Sequence, residues 1–170
     1  MEFIDTYTSN RTPLKTHVPR SAHTGEDVWA VASHIWIFNS AGDFLLQRRS
    51  PQKRTSPNRL DLAVAGYVLS GETPLHAAVR EAGEELGIIV EESELKHIGS
   101  FPNEPHKIFH ETFVLNREID ATKLTLQEEE VAEALWIPMN QLRENLEKHP
   151  SDFVDREAEW KRIIAYNSAA

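Results

Sequence analysis

Residues 66–88, GYVLSGETPLHAAVREAGEELGI, constrain this chain more than any other stretch. A loop with Gly66 and Gly71 runs into a helix whose ends are both marked. Thr73 offers a side-chain oxygen at the N-cap, and Pro74 suits the first helical position. Gly87 suits the left-handed position just past the end. Leu75, Ala78, Ala82 and Leu86 recur at helical spacing and form an apolar stripe. Beside that stripe, Glu81, Glu84 and Glu85 fall within about 100° of one another on a helical wheel. Like charges at these spacings cost roughly 0.2–0.5 kcal/mol per pair. They also lie toward the negative end of the helix, which adds to the cost. Arg80 offers Glu84 partial relief. The face is either a solvated charged surface or a site for a hard divalent cation. Three oxygen donors without His or Cys suit Mg²⁺, with Mn²⁺ as a substitute. Ala77 lies above the acids and leaves room for a ligand. Gly83 costs about 1 kcal/mol relative to alanine inside a helix, and reads as close packing or as a neutral surface position.

Composition narrows the partners. A chain of 170 residues suits one domain. The net charge of −9 disfavours a nucleic-acid duplex, which needs a basic face. A small anionic substrate is compatible with that charge when a metal supplies the positive charge locally. The absence of cysteine excludes disulfides, thiolate zinc sites and cysteine nucleophiles. The start, MEFIDTYTSN, has neither a basic n-region nor an apolar segment. No apolar run approaches the roughly 20 residues of a membrane span. These features lead us to expect a cytoplasmic enzyme or binding protein.

The remaining stretches read as a framework for that helix. Residues 2–19 form two extended pieces about a turn at Ser9-Asn10-Arg11, followed by a polar stretch with His17, Arg20 and His23 that ends at Gly25. This N-terminal β-hairpin, about 1–25, is a surface flap or a substrate wall. β-Branched and aromatic residues make 28–38 and 43–49 strands of a hairpin. Residues 60–65 form a short strand running into Gly66, and 95–101, 107–115 and 131–137 are further strands. Pro138 starts a helix carrying Leu142 and Leu146, and Pro150 ends it. Ser151 caps a last helix through Ile164, so two C-terminal helices occupy about 138–166. This order predicts an α/β (α+β) fold over 1–170 as a single domain: a mixed β-sheet sandwiched between helices.

The box Gly66, Glu72, Arg80, Glu81, Glu84, Glu85 and Gly87, with Ala82 and Ile88 in apolar slots, resembles the signature of the Nudix hydrolases. The resemblance implies Mg²⁺-dependent attack of water on a diphosphate linked to another moiety. It implies Glu81 and Glu85 as main metal ligands and the Gly66 carbonyl as a further one. Glu84 would share a metal or assist the water, Arg80 would hold the acids, and Glu72 would brace the loop–helix junction. Such chemistry rests on positioning and charge neutralisation.

A second resemblance, over HIWIFNSAGDFLLQRRSPQKRTSPNRLDLAVAGYVLSGE, points to the Nudix branch that contains isopentenyl-diphosphate isomerases. It implies that Arg49 and Lys53 bind substrate phosphate. The alternative is a basic surface loop. Isomerase chemistry is disfavoured, because Ala65, Tyr67 and Ala30 stand where that branch places its catalytic cysteine and two metal-binding histidines. Glu129 and Glu130 are candidates for a catalytic base outside the box, and Glu111 is a weaker one. His106 and His110 read as surface or edge histidines rather than substrate contacts, and Trp36 and Phe38 as core rather than as a stacking surface for a nucleobase. Trp29 and Tyr67 lie near the expected pocket. A nucleoside diphosphate-type or related small molecule is the expected substrate class, and family habit suggests a homodimer. The competing readings are an isomerase-like enzyme and a non-catalytic diphosphate binder.

Overall fold

The computed structural model describes residues 1–23 and 28–169. Gly25, the expected end of the flap, lies outside them. The described residues form a mixed α+β fold with a two-stranded sheet, a seven-stranded sheet and three α-helices. Contacts divide the chain into two compact units, residues 1–35, 64–83 and 89–114 in one, and 36–63, 84–88 and 115–170 in the other. Two elements run continuously through the division: strand β3 (Ala30–Phe38) and helix α1 (Pro74–Leu86).

In the first unit, β1 (Phe3–Tyr7) and β2 (Pro13–Pro19) make the expected antiparallel hairpin, with Ile4 opposite Val18. Arg11, near its tip, is left-handed (φ 62°). It donates to Ser100 and pairs with the buried Glu111, whose other oxygen lies 2.7 Å from His97 Nε2. Tyr7 and Trp29 exchange backbone hydrogen bonds of 2.8 and 2.9 Å, and the Ser70 amide donates to the Phe3 carbonyl. The hairpin is therefore tied to the loop that precedes α1. β3 is buried from end to end, as expected of a near-continuous apolar strand. β6 (Val64–Tyr67) pairs with it antiparallel, Gly66 opposite Ser33. On the other side the order is β3, β8 (Ile108–Asn116), β7 (Lys96–Asn103). Trp29, Val31, Val68, Ala77 and Phe109 pack as a core cluster, with Trp29 stacked on Phe109 at 4.5 Å.

In the second unit β4 (Phe44–Arg49) is central. It pairs with β9 (Val131–Ile137) along one edge. Along the other it pairs first with the end of β3 and then with β5 (Leu60–Leu62). α2 (Met139–Lys148) and α3 (Glu157–Ser168) follow. Trp36, Phe44, Phe153 and Trp160 interlock edge-to-face.

Two expected boundaries are corrected. The strand expected over 60–65 is two strands, because the chain changes partner at Ala63: Leu62 faces Leu46 on β4, whereas Val64 faces Ile35 on β3. The last helix begins at Glu157, not beside Ser151, and continues to Ser168. Ser151 sits in a 3-10 turn, and Phe153 and Val154 are drawn out straight by pairing with Leu60. Among the described residues, no helix is long and apolar enough to cross a membrane.

Candidate active site

Helix α1 starts as its sequence dictates. The Thr73 hydroxyl accepts the His76 amide at 3.2 Å, three residues into the turn, and Pro74 occupies the first position. The Ser33 hydroxyl donates to the Pro74 carbonyl at 2.6 Å and ties the helix start to β3. At the other end Gly87 is left-handed (φ 67°), and a Cβ there would approach Thr125 to 2.8 Å. The stripe Ala78, Ala82 and Leu86 is fully buried. Ala77 is buried as well, in the core cluster, so it packs rather than leaving room for a ligand. Gly83 is exposed, which fits the surface reading.

The junction of loop and helix is held by Arg80. Its Nε and Nη2 take the two Glu72 oxygens at 2.9 and 3.0 Å, Nη1 takes Glu81 Oε1 at 2.8 Å, and Nη2 also donates to the Tyr67 carbonyl at 3.0 Å. Burial alone would lower the Arg80 pKa, but bonds to the two carboxylates raise it well above its ordinary value. For Glu72, burial pushes upward, yet Arg80 and the Leu69 amide hold the carboxyl below its usual range. Arg80 thus bridges the Glu72 and Glu81 carboxylates. A Cβ built on Gly66 would overlap the Glu81 carboxylate, so glycine is the residue that leaves Glu81 its position. Tyr67 is half-buried. Its hydroxyl is 3.4 Å from His23 Nδ1, and the Arg20 guanidinium lies 5.5 Å from its ring centroid. Burial raises the Tyr67 pKa against the opposing charge of Arg20.

On the last turn of α1, Glu84 is exposed and Glu85 is buried. Gln47 Nε2 on β4 donates to Glu85 Oε2 at 3.1 Å, and the Gln127 amide donates to the Glu85 carbonyl at 3.1 Å. Arg49 donates to the Thr55 carbonyl at 3.0 Å and pairs with Asp61 at 3.6 Å. Lys53 pairs with Glu130, whose carbonyl accepts the Ser50 amide. Arg49 and Lys53 thus both have acidic partners.

Three other expectations change. Trp29 is buried in the core, not turned to a pocket. His110 is buried on β8 with its ring 4.0 Å from that of His34, whereas His106 is exposed as expected. Glu111 is engaged by Arg11 and His97. Trp36 and Phe38 are core. Sequence reasoning missed Gln47 and Asp61. Their signal was a polar residue beside the apolar ones of a short strand, Gln47 directly after Phe44-Leu45-Leu46 and Asp61 between two leucines.

An all-oxygen set of Glu81, Glu84 and Glu85 fits a hard divalent cation by donor chemistry. The missing Cβ at Gly66 fits it too, since it leaves the Glu81 carboxylate undisplaced.

A NUDIX domain model matches residues 28–156, and the chain belongs to this family. It is 36% identical over 143 residues to an uncharacterized Nudix hydrolase of Listeria monocytogenes, covering 84% of this chain and 83% of that protein. An uncharacterized Nudix hydrolase of Listeria innocua is 34% identical over the same length, with the same coverage. A crystal structure of a Deinococcus radiodurans protein matches with a TM-score of 0.78 at 24% identity, covering 95% of this chain and 98% of that one, which is a likeness of fold. By class the chain is an enzyme, a Nudix-type pyrophosphohydrolase. These relatives lend no support to the isopentenyl-diphosphate branch.

Proposed function

We propose that the chain hydrolyses a diphosphate linkage in a nucleoside diphosphate-type or related small molecule, with Mg²⁺ or Mn²⁺ required. The observation that carries this reading is Arg80, which joins Glu72 to Glu81 beside a glycine that admits no Cβ. Glu81, Glu85, Glu84 and the Gly66 carbonyl would hold the cation. Bound there, a divalent cation neutralises phosphate charge and lowers the pKa of a water. Arg80 orients Glu81, and Gln47 orients Glu85. Water adds to one phosphorus, the bridging P–O bond breaks, and two phosphoryl products and a proton leave. Glu84, the exposed acid of the set, assists the water or shares the metal. Glu130 is the base candidate outside the box. Arg49 and Lys53 are the phosphate-binding candidates, each exchanging its acidic partner for substrate.

The test is a panel of nucleoside diphosphate derivatives and other small diphosphates, assayed for phosphate or monophosphate release with and without Mg²⁺. Heavy-oxygen water locates the attacked phosphorus. Arg49→Ala and Lys53→Ala should raise KM. Unchanged KM in both variants removes them from the substrate site.

A further inference from the structure

Lys53 and Glu130 hold separate candidate roles, phosphate binding and proton acceptance, yet they form one ion pair. Both belong to the second unit. Lys53 lies on the loop between β4 and β5, and Glu130 closes the turn that leads into β9. The main chain joins the two segments as well. The Ser50 amide donates to the Glu130 carbonyl at 2.9 Å, and the Lys53 amide donates to the Ser50 carbonyl at 3.2 Å. The Glu130 amide donates to the Gln127 carbonyl at 2.8 Å, and the Gln127 amide donates to the Glu85 carbonyl at 3.1 Å. The pair therefore sits on a turn that is hydrogen-bonded to the last turn of α1.

We propose that the Lys53–Glu130 pair is a substrate-operated gate: in the free protein each side chain occupies the other, and a substrate phosphate that takes Lys53 releases Glu130 to act as the base. This rests on the reading of the chain as a diphosphate hydrolase.

The pair can open without loss of the fold. The side chains are 17% and 28% exposed, so water reaches both, and an ion pair reached by water is weak. Their frame is held by main-chain bonds that involve neither side chain. A phosphate group carries more charge and more acceptor oxygens than a carboxylate, so it outcompetes Glu130 for the ammonium. The ammonium is a compact charge on a flexible stem and can follow the anion. Arg49 is held more firmly. Its Nε and Nη2 bond the Thr55 carbonyl at 3.3 and 3.0 Å, and its acid, Asp61, is fully buried and takes a fork from Arg156 at 2.8 and 3.1 Å. Of the two cations, Lys53 is the one that changes partner more readily. Once released, Glu130 accepts a proton from water as the water oxygen bonds to phosphorus. The bridging P–O bond breaks, and its electron pair stays on the leaving phosphoryl oxygen. Without substrate the same carboxylate is turned to the ammonium.

The experiment pairs binding with turnover on the full chain. Binding is read by calorimetry with methylenediphosphonate, a diphosphate analogue that water does not cleave, at a fixed Mg²⁺ concentration. Circular dichroism verifies that each variant is folded, with Lys53→Gln in reserve for Lys53→Met. Lys53→Met should weaken binding by about tenfold. Glu130→Gln frees the ammonium and should tighten binding by about threefold to tenfold. Adding Glu130→Gln to Lys53→Met should change nothing further, because no ammonium is left to free. On a diphosphate that wild type turns over, Glu130→Gln should lower kcat by about 100-fold or more while KM falls. Binding by Glu130→Gln that is no tighter than wild type overturns the gate. Equal tightening in the Lys53→Met background overturns it too, since the gain is then that of one fewer negative charge. Tighter binding with kcat unchanged overturns the release of a base. If wild type hydrolyses diphosphates while the variants bind like wild type, the gate falls and the hydrolase reading stands. If wild type binds the analogue with the predicted pattern among variants yet hydrolyses no diphosphate, the hydrolase reading falls and the exchange at Lys53 stands.

Discussion

Gly66 and Glu72 act on Glu81 from opposite directions, one by what it lacks and the other through Arg80. Gly66→Ala places a methyl where the Glu81 carboxylate lies. It should weaken Mn²⁺ binding by about 10-fold or more with little change in melting temperature, measured by calorimetry alongside thermal unfolding. Glu72 makes a pH-dependent contribution. Its folded pKa is depressed, so its stabilisation is fully present above the ordinary value of 4.5 and is lost as pH falls through the lowered one. Glu72→Gln should therefore melt lower than wild type at neutral pH. The gap should narrow progressively in melts taken below pH 4.5. A gap that widens in acid contradicts the pairing with Arg80.

At the level of elements, α1 is the one whose sequence speaks most directly. Its cap, first-turn proline, apolar stripe and C-terminal glycine are all local signals, and all appear where expected. Thr73→Ala should cost about 1 kcal/mol, read as a fall of about 2–4 °C in melting temperature. The elements that were not legible are those decided by partners distant in sequence. Nothing within LDLAVA indicates that Leu62 and Val64 pair with different strands. Nothing around Ser151 indicates that Phe153 and Val154 will extend against Leu60 and delay α3 to Glu157. The site divides in the same way. Helical spacing put the three acids of the box on one face and the resemblance of the whole stretch pointed to them as ligands, whereas Gln47, Asp61 and Arg156 come together only through the placement of β4, β5 and the start of α3. His110 and Trp29 were misjudged for the same reason, since burial on β8 and beside Phe109 is a tertiary outcome.

At the scale of the whole molecule, a net charge of −9 and a helix carrying three neighbouring acids both gain from a bound cation. A ligand at 100 times its Kd stabilises the folded state by about 2.7 kcal/mol. For a chain of this length, Mg²⁺ or Mn²⁺ at that ratio should raise the melting temperature by about 5–10 °C. Glu85→Gln should abolish most of the shift. The most direct measurement is turnover of the small-diphosphate panel by wild type and Glu85→Gln side by side, with Mg²⁺ present. Release of phosphate or monophosphate by wild type is predicted, with a fall of at least about 100-fold in the variant and an unchanged circular dichroism spectrum. No release from any diphosphate, or equal rates from both proteins, contradicts metal-dependent hydrolysis at this helix.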